Sequence, residues 1–343
     1  MEFIKSRGNP IIKEVRKLRK RAARDTLGLA FVEGERLVRE AVLAARPDCG
    51  SGARAFAHVH AGDHAGDHAG GQADEHAHEH AHEHAHMHAH ARVHIRVICV
   101  SESFYESAVF GAIRKEAEIQ GIKLAVVPDA LFSDISDTMS PQGVLAVMET
   151  FRHTFDDMVS DRGRNRLLLL DRVSDPGNAG SMIRTAEAAG FTGVALSGGC
   201  VDIYAPKTMR ATMGSVFRIP FLRDVKLVEL VEELRLRGFH IYAASAADGD
   251  NADGAADAAA GDKRGSDCFH ANIDKGDVAL VIGNEASGVD GRISALCDGI
   301  LSIPMPGGAE SLNAGVAAGI LVYEIVRRDL MHDAVYIPFS QQL

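Results

Sequence analysis

The sequence predicts an α/β fold, a mostly parallel sheet with helices on both faces that follows a smaller α/β domain. Two observations support this prediction. Short apolar runs, such as the four consecutive leucines at residues 167–170, alternate along the chain with segments of helical periodicity. At residues 302–316, a strand end, a loop rich in proline and glycine and the start of an apolar helix follow one another. Backbone amides without partners collect at such a corner, which makes it a candidate ligand site.

Length and composition set the domain organisation. A chain of 343 residues predicts two domains, which we place at residues 1–150 and 167–343, with a polar linker at 151–166. No apolar run approaches the roughly eighteen residues of a membrane span, and the N-terminus lacks an apolar signal core, so we expect a cytoplasmic protein without membrane contact. The five cysteines are scattered and never spaced as CxxC, which indicates a reducing compartment and predicts no metal site.

The first domain is predicted to alternate helices and strands. We expect helices at residues 11–24, 37–45, 107–120 and 131–137, strands at 29–33, 95–100 and 123–127, and a closing turn and strand at 141–147.

The first of these helices is unusually basic. The net charge of the chain is −10, yet residues 5–24 contain nine basic residues and one acidic residue, a local sum of +8. A solvated surface helix normally mixes both signs, so this density of like charge favours contact with phosphate groups. A simple solvated helix is the alternative.

Two biased segments interrupt the predicted domains. Thirteen of the 17 histidines fall between residues 58 and 94, where alanine, glycine and acidic residues fill the gaps, and we expect a disordered insertion at 51–91. Clustered imidazoles bind divalent metal ions in vitro, so any metal on this tract is expected to be adventitious. Residues 248–274 contain seven aspartates and are expected to form a flexible loop.

The second domain reads as alternating strands and helices. Strands are expected at residues 167–170, 194–197, 239–244, 278–282 and 300–303, and helices at 179–189, capped by Asn178, and at 207–215, 225–237 and 314–327. Such alternation indicates a doubly wound sheet with its ligand at the carboxyl ends of the strands.

Three motifs in the second domain occur in a fixed order. Residues 175–185 begin Asp-Pro-Gly-Asn, residues 282–289 contain Gly-Asn-Glu, and residues 303–313 end Glu-Ser-Leu-Asn. Each motif alone is weak. Together they resemble the SpoU (TrmH-like) family of RNA ribose 2'-O-methyltransferases, over about residues 167–328 and more loosely over 4–40 and 93–148.

This resemblance implies a trefoil-knotted second domain, S-adenosylmethionine as cofactor, a homodimer whose sites lie at the subunit interface, and an RNA substrate, ribosomal rather than transfer RNA. The implied catalytic residues are Asn178, Arg184, Glu285, Ser311 and Asn313, and the implied cofactor-binding residues are Ser197, Gly198, Gly283, Ile303 and Leu312. The predicted RNA-binding residues are Lys5, Arg7, Lys13, Arg16, Lys17, Lys20 and Arg24 of the basic stretch, with Arg36 from the segment that is similar to the family's substrate-binding domain.

Arg184 lies in a mostly apolar helical segment and therefore needs a partner, for which Glu285 is the candidate. Because an arginine is a poor general base, we expect Arg184 to position phosphate and stabilise a developing alkoxide. A structural salt bridge is the alternative for Arg184, as an ordinary turn is for Gly283 and Gly288.

Three other functions are alternatives to RNA methylation. A noncatalytic RNA-binding or ribosome-assembly protein could share the scaffold, but Asn178, Arg184 and Asn313 are all present. A dinucleotide-dependent oxidoreductase is disfavoured because no GxGxxG follows an early strand. A metal-handling role for the histidine tract leaves most of the chain unexplained.

Overall fold

The computed structural model of the protein describes residues 1–46, 93–160, 163–245, 266–273, 276–307, 309 and 311–332. The histidine-rich insertion predicted at 51–91 lies outside these residues, as does most of the acidic insertion predicted at 248–274. Within the described part of the chain, no helix is long and apolar enough to cross a membrane.

The first part of the chain forms a five-stranded mixed sheet. Its elements in chain order are β1 (Glu2–Phe3), α1 (Pro10–Lys17), α2 (Arg21–Leu27), β2 (Leu29–Glu33), α3 (Glu35–Ala44), β3 (Ile95–Ser101), α4 (Glu102–Tyr105), α5 (Phe110–Ile119), β4 (Lys123–Val127), α6 (Asp129–Ile135) and β5 (Val144–Glu149). The strand order is β1-β4-β3-β5-β2, with β5 antiparallel to both of its neighbours and the other pairs parallel. Helices α1 and α6 pack on one face of the sheet, while α3 and α5 pack on the other.

The basic N-terminal helix is divided in two, contrary to the single helix predicted at residues 11–24. Helix α1 ends at Lys17, α2 begins at Arg21, and the guanidinium of Arg24 donates to the carbonyl oxygen of Leu18 at 2.7 Å. This side chain satisfies a carbonyl group that a continuous helix would have used internally, so the break is stabilised by a tertiary contact.

The second part of the chain forms a seven-stranded sheet. Its elements are β6 (Arg166–Leu170), α7 (Pro176–Ala188), β7 (Gly193–Ser197), α8 (Pro206–Ala211), β8 (Phe221–Val225), α9 (Leu227–Leu236), β9 (His240–Ser245), β10 (Ser266–Asp267), β11 (Val278–Ile282), α10 (Gly291–Leu296), β12 (Gly299–Ser302) and α11 (Ala314–His332), with 3₁₀ turns at Phe155–Asp157 and Ser215–Phe217. The strand order is β10-β12-β9-β11-β6-β7-β8, and all of these pairs are parallel.

Helices cover both faces of this second sheet, which confirms the predicted α/β architecture. Residues of α7, α8 and α11 share one apolar cluster, and residues of α9 and α10 share the cluster on the opposite face. Because every strand runs in the same direction, the carboxyl ends of the strands meet at one edge. The trefoil knot stays a prediction.

Some elements were not predicted. Strand β8 has only one fully buried residue, Phe221, so its apolar signal is weak, and β10 is a two-residue edge strand within the segment that was expected to be a loop. Helix α10, at six residues, is too short for a clear helical period.

Candidate active site

Hydrogen bonds between side chains link the three sequence motifs at the carboxyl edge of the second sheet. The amide nitrogen of Asn313 donates to Asn178 Oδ1 at 2.9 Å, and the amide nitrogen of Asn178 donates to Glu285 Oε1 at 3.1 Å. Asn313 Oδ1 accepts from the backbone N–H of Gly315 at 2.9 Å and thereby caps α11. One residue from each motif therefore enters a single hydrogen-bonded chain.

Glu285 is the acceptor at the end of this chain. Its carboxylate also accepts from the backbone N–H groups of Ser174 and Asp175, each at 3.1 Å, and from the Ser174 hydroxyl at 3.0 Å. Partial burial of the carboxylate acts to raise the pKa of Glu285, but the hydrogen bonds from Asn178 and the backbone outweigh it and lower that pKa to about 2. Glu285 is therefore an anion at neutral pH that holds the first motif against the second.

Helix α7 begins earlier than predicted, and this changes the role of Asn178. The N-cap is Asp175, whose side chain accepts from the Asn178 backbone N–H at 2.8 Å, and Pro176 occupies the first helical turn. Both residue types are favoured at these positions. The Asn178 side chain is thus not a cap and is available for Glu285 and Asn313.

Gly283 marks a close crossing of two backbone segments. A Cβ atom at this position would lie 2.1 Å from the carbonyl carbon of Gly288 and 2.2 Å from the nitrogen of Val289. No side chain fits there, so Gly283 is required for the loop to fold back on itself. Gly288 has a φ of +66° and open space around it, so glycine is favoured there by its backbone conformation alone.

Asp171 is a site residue that the sequence reasoning missed. It lies at the carboxyl end of β6, is 3% exposed, and accepts from the backbone N–H of Asp290 at 2.9 Å and from the Arg172 guanidinium at 3.0 Å. The Ser197 hydroxyl donates to the same carboxylate at 3.4 Å. Asp171 therefore ties β6, β7 and the loop after β11 together, and its position directly after the leucine strand was the available signal.

Helix α11 packs closely against α7 through its glycines. A Cβ atom on Gly315 would lie 2.6 Å from the Ser181 hydroxyl oxygen, and one on Gly319 would lie 3.9 Å from a methyl carbon of Thr185. The absence of a side chain at Gly315 therefore allows the third motif to approach the helix that carries the first.

Comparison with known proteins identifies the family of the chain. The SpoU rRNA Methylase family matches residues 165–323, and the MRM3-like substrate binding domain matches residues 9–48. A 23S rRNA guanosine 2'-O-methyltransferase of Bacillus subtilis is 36% identical over 205 residues, which are 60% of this chain and 73% of that protein. The chain belongs to the SpoU rRNA methylase family.

Two further methyltransferases resemble the chain, one in sequence and one in structure. A 23S rRNA uridine 2'-O-methyltransferase of Streptomyces viridochromogenes is 34% identical over 212 residues, covering 60% of this chain and 67% of that one. The structure of an AdoMet-bound rRNA methyltransferase from Sinorhizobium meliloti superimposes with a TM-score of 0.68 at 25% identity, over 96% of this chain and 98% of that one.

Arg184 does not form the ion pair that was expected in this SpoU chain. The Glu285 oxygens are occupied by Asn178, Ser174 and Asp175, and Arg184 is exposed on α7 with no hydrogen bond or ion pair to any residue that the structure describes. The expectation was wrong because a helix position that faces solvent needs no partner, even within an apolar segment. Arg184 and Ser311, which is also exposed, are accessible to a substrate.

The predicted cofactor residues divide into two groups. Gly283 follows β11 and Ile303 follows β12, and β9 lies between these two strands. Ser197 instead ends β7 and Gly198 follows it; β6 separates β7 from β11, and Ser197 is buried against Asp171. The strand end nearest to both Gly283 and Ile303 is that of β9, at Ser245, which the sequence reasoning did not select.

The loops around Ile303 fit a ligand held by backbone groups. The backbone N–H groups of Met305, Gly307 and Leu312 donate to no residue that the structure describes, and the Leu312 side chain is 37% exposed. Free amide N–H groups can donate hydrogen bonds to the edge of an adenine ring, and an apolar side chain beside them can pack on its face. These residues therefore fit S-adenosylmethionine.

The predicted RNA-binding residues also divide. Lys5, Lys13, Lys17, Lys20 and Arg36 are exposed and have no ion-pair partner among the described residues, while Arg7 and Arg16 are paired with Asp134. Arg24 is 4% exposed and bonded to Asp202, so it is a structural residue and its prediction as an RNA contact was wrong.

Proposed function

We propose that the protein transfers a methyl group from S-adenosylmethionine to the 2'-hydroxyl of a ribose in ribosomal RNA. The observation that supports this most directly is the hydrogen-bonded chain Asn313–Asn178–Glu285, which joins the three family motifs in one site. The relatives from Bacillus subtilis and Streptomyces viridochromogenes, at 36% and 34% identity, are named for 2'-O-methylation of 23S rRNA.

When bound, S-adenosylmethionine supplies an electrophilic methyl group on a sulfonium sulfur. The free amides of Met305, Gly307 and Leu312 would hold it by its adenine. The chemistry that the cofactor would supply is transfer of this methyl group to the ribose oxygen, with the carbon–sulfur bond broken and the hydroxyl proton passed to water. The chain must therefore align the ribose oxygen and stabilise its negative charge.

Arg184 is suited to that stabilisation. Its guanidinium is exposed and unpaired among the described residues, so it can reach a phosphate or the ribose oxygen without breaking an existing contact. Glu285 is a positioning residue, because a pKa of about 2 makes its carboxylate a weak base at neutral pH. Asn178 and Asn313 fix the loop ends, and the exposed Ser311 would contact the ribose.

A homodimer is part of this proposal. Helix α11 and the residues before it present three exposed apolar side chains at helical spacing, Leu312, Val316 and Tyr323, next to the site. A second copy of the chain would cover them and complete the pocket. Val316→Asp should then give a monomer by light scattering, whereas Ile119→Asp, at an exposed position on α5, should leave the dimer intact.

The decisive experiment is methyl transfer to purified ribosomal RNA from cells that lack the protein. The RNA is incubated with the protein and methyl-labelled S-adenosylmethionine, digested to nucleosides and examined by mass spectrometry. We expect a 2'-O-methylated nucleoside and one alkali-resistant position. The two relatives are named for different nucleotides, a guanosine and a uridine, so the position is taken from the mapping. A base-methylated product, or no product, would contradict the proposal.

A further inference from the structure

One edge of the first sheet displays aromatic and apolar side chains without cover. The carboxyl ends of β1, β4, β3 and β2 and the start of β5 meet at this edge, because β5 runs opposite to its neighbours. Phe3 ends β1, Tyr105 ends α4, Met139 lies on the loop before β5, and Arg36 lies in the first turn of α3. We call these four residues the edge surface.

Phe3 and Tyr105 are in contact, and residues beside Met139 and Arg36 connect the elements that carry them. The rings of Phe3 and Tyr105 meet edge to face with their centroids 6.0 Å apart. A Cβ on Gly143, at the end of the Met139 loop, would lie 2.8 Å from Phe104 Cβ, so this loop packs against α4. The Gln142 side chain accepts from the Glu35 backbone N–H at 2.8 Å, which joins the same loop to α3.

Packing within the fold does not account for the exposure of these side chains. Phe3 is 61% exposed and Met139 is 103% exposed. A single exposed apolar side chain is common on protein surfaces and needs no explanation. Here, however, a half-buried tyrosine and two exposed apolar side chains share one edge, and the loop that carries Met139 is held in place by a buried acid.

Glu33 holds the Met139 loop rigidly. It is 4% exposed, and its carboxylate accepts from the Thr138 hydroxyl at 2.7 Å, from the Asp137 backbone N–H at 2.8 Å and from the Ser136 hydroxyl. From the other side, Arg210 donates to the Asp137 carboxylate at 2.9 Å. Burying a carboxylate is costly unless it is fully hydrogen-bonded, so these contacts favour one conformation of residues 136–138, the segment directly before Met139.

The charge around the edge surface is mixed, unlike that of α1. Arg36 is exposed, but Arg7 is paired with Asp134, and Glu102 and Glu106 are exposed on or beside α4. A surface of this kind gains little from phosphate groups alone and suits the flat apolar faces of nucleic-acid bases. Phosphate contact falls instead to the exposed lysines of α1 and the turn that follows it.

We propose that the edge surface is a stacking platform for unpaired nucleotides of the RNA substrate. This inference rests on the proposed function for the identity of the substrate. Unpaired bases can stack on Phe3 and Tyr105 and pack against the polarizable side chain of Met139. Arg36 follows β2, on the other side of the sheet from β1 and Phe3, and can bind a phosphate further along the same RNA strand. Duplex RNA keeps its bases within the helix and would not engage the platform.

The test compares Phe3→Ala and Met139→Ala with Ile119→Ala, a matched control that is 70% exposed at the opposite edge of the same sheet. Binding is measured with single-stranded poly(U) and with an RNA duplex over a range of salt. Each edge variant should bind poly(U) about fivefold to a hundredfold more weakly and duplex RNA unchanged, with an unaltered salt slope, because stacking releases no counterions. Unchanged poly(U) binding would overturn the proposal, and it is also the result expected if the edge surface binds a protein. An equal loss of affinity for duplex RNA would overturn the proposal as well.

A second readout reports contact directly. Peroxide oxidises exposed methionine to its sulfoxide, and peptide mass spectrometry measures the extent at Met139. Poly(U) should slow oxidation of Met139 in the full-length protein, whereas duplex RNA should not. Equal oxidation with and without poly(U) would overturn the proposal. An enzyme that shows this protection but fails to methylate ribose would contradict the proposed function and leave the platform standing.

Discussion

Arg24 Nε donates to Asp202 Oδ2 at 2.9 Å, which joins helix α2 of the first sheet to the loop before α8 of the second. Both side chains are buried, at 5% and 7% exposure, and the same guanidinium donates to the Leu18 carbonyl oxygen. A residue that the sequence assigned to RNA contact is therefore a buried structural link between helix α2 and the methyltransferase sheet.

We expect Arg24→Ala to lower the free energy of unfolding by about 3–5 kcal/mol, because it leaves the buried Asp202 without its counter-charge. Replacing both residues, as Arg24→Met with Asp202→Leu, should cost much less than the single change. Urea unfolding of the unaltered protein, Arg24→Ala and the double variant measures these differences in the free energy of unfolding. A stable Arg24→Ala protein with weakened RNA binding would restore Arg24 to the RNA surface.

The basic face of α1 should bind phosphate through lysines alone. Lys13, Lys17 and Lys20 are exposed and unpaired among the described residues, so replacing all three with alanine should reduce the slope of log K against log salt by about 0.7–0.9 per lost contact. Cofactor binding should be unchanged. Lys115→Ala on α5, exposed on the opposite face of the sheet, is the control. A slope equal to that of the unaltered protein would show that these lysines do not contact phosphate.

Strands were predicted well where an apolar run has clear ends. The predictions at residues 29–33, 123–127 and 278–282 match β2, β4 and β11 residue for residue. The break between α1 and α2 could not be predicted, because it depends on Arg24 meeting Leu18 and a distant Asp202. A helical period within a short window contains no information about such a contact.

The site was predictable as a set of motifs but not as a geometry. The resemblance named Asn178, Glu285 and Asn313, which the structure joins by hydrogen bonds. The apolar segment around Arg184 led to the prediction of an ion pair with Glu285, because the sequence does not show which face of α7 lies toward solvent. Asp171 was missed since its role depends on the backbone N–H of Asp290, far along the chain.

Gly283 and Gly288 should respond differently to substitution. Gly283→Ala places a Cβ on the backbone of residues 288–289 and should destabilise the protein by about 1–3 kcal/mol or more and impair cofactor binding. Gly288→Ala meets no atoms within 4 Å and should cost only about 1–2 kcal/mol for its positive φ. Thermal unfolding compares the stability of the two variants, and calorimetric titration compares their affinity for S-adenosylmethionine. Equal effects would mean that the crossing at Gly283 is not tight.

Glu285 should contribute stability that depends on pH. Its pKa is about 2 in the folded chain against 4.5 for the unperturbed group, so the unfolded state binds more protons between these values. The contribution is present in full above about pH 4.5 and is lost as pH falls through about 2. The stability difference between the unaltered protein and Glu285→Gln should thus be constant near neutral pH and shrink in acid. A difference that grows in acid would contradict the lowered pKa.

The last prediction concerns Arg184 and the chemical class of the acceptor. Carbon methylation of a pyrimidine normally needs a thiolate nucleophile, but none of the three motifs contains a cysteine. Cys200 and Cys297 are buried, Cys297 donates to the Ile293 carbonyl oxygen, and burial raises the pKa of Cys200. A hydroxyl acceptor requires only alignment and charge stabilisation, which the exposed Arg184 can provide.

Arg184→Ala should therefore lower turnover about a hundredfold to a thousandfold, the usual cost of one stabilising group. S-adenosylmethionine should bind unchanged, because Arg184 lies on α7 and the free amides that fit the cofactor follow β12. Arg184→Lys keeps the positive charge but loses the planar guanidinium, so its turnover should lie between those of the unaltered protein and Arg184→Ala. Single-turnover kinetics with ribosomal RNA measure the rate, and resistance of the 3' phosphodiester to alkali identifies the product. Full activity in Arg184→Ala would show that Arg184 has no role in the mechanism. No residue that the structure describes binds the Arg184 side chain, so the substitution breaks no structural contact.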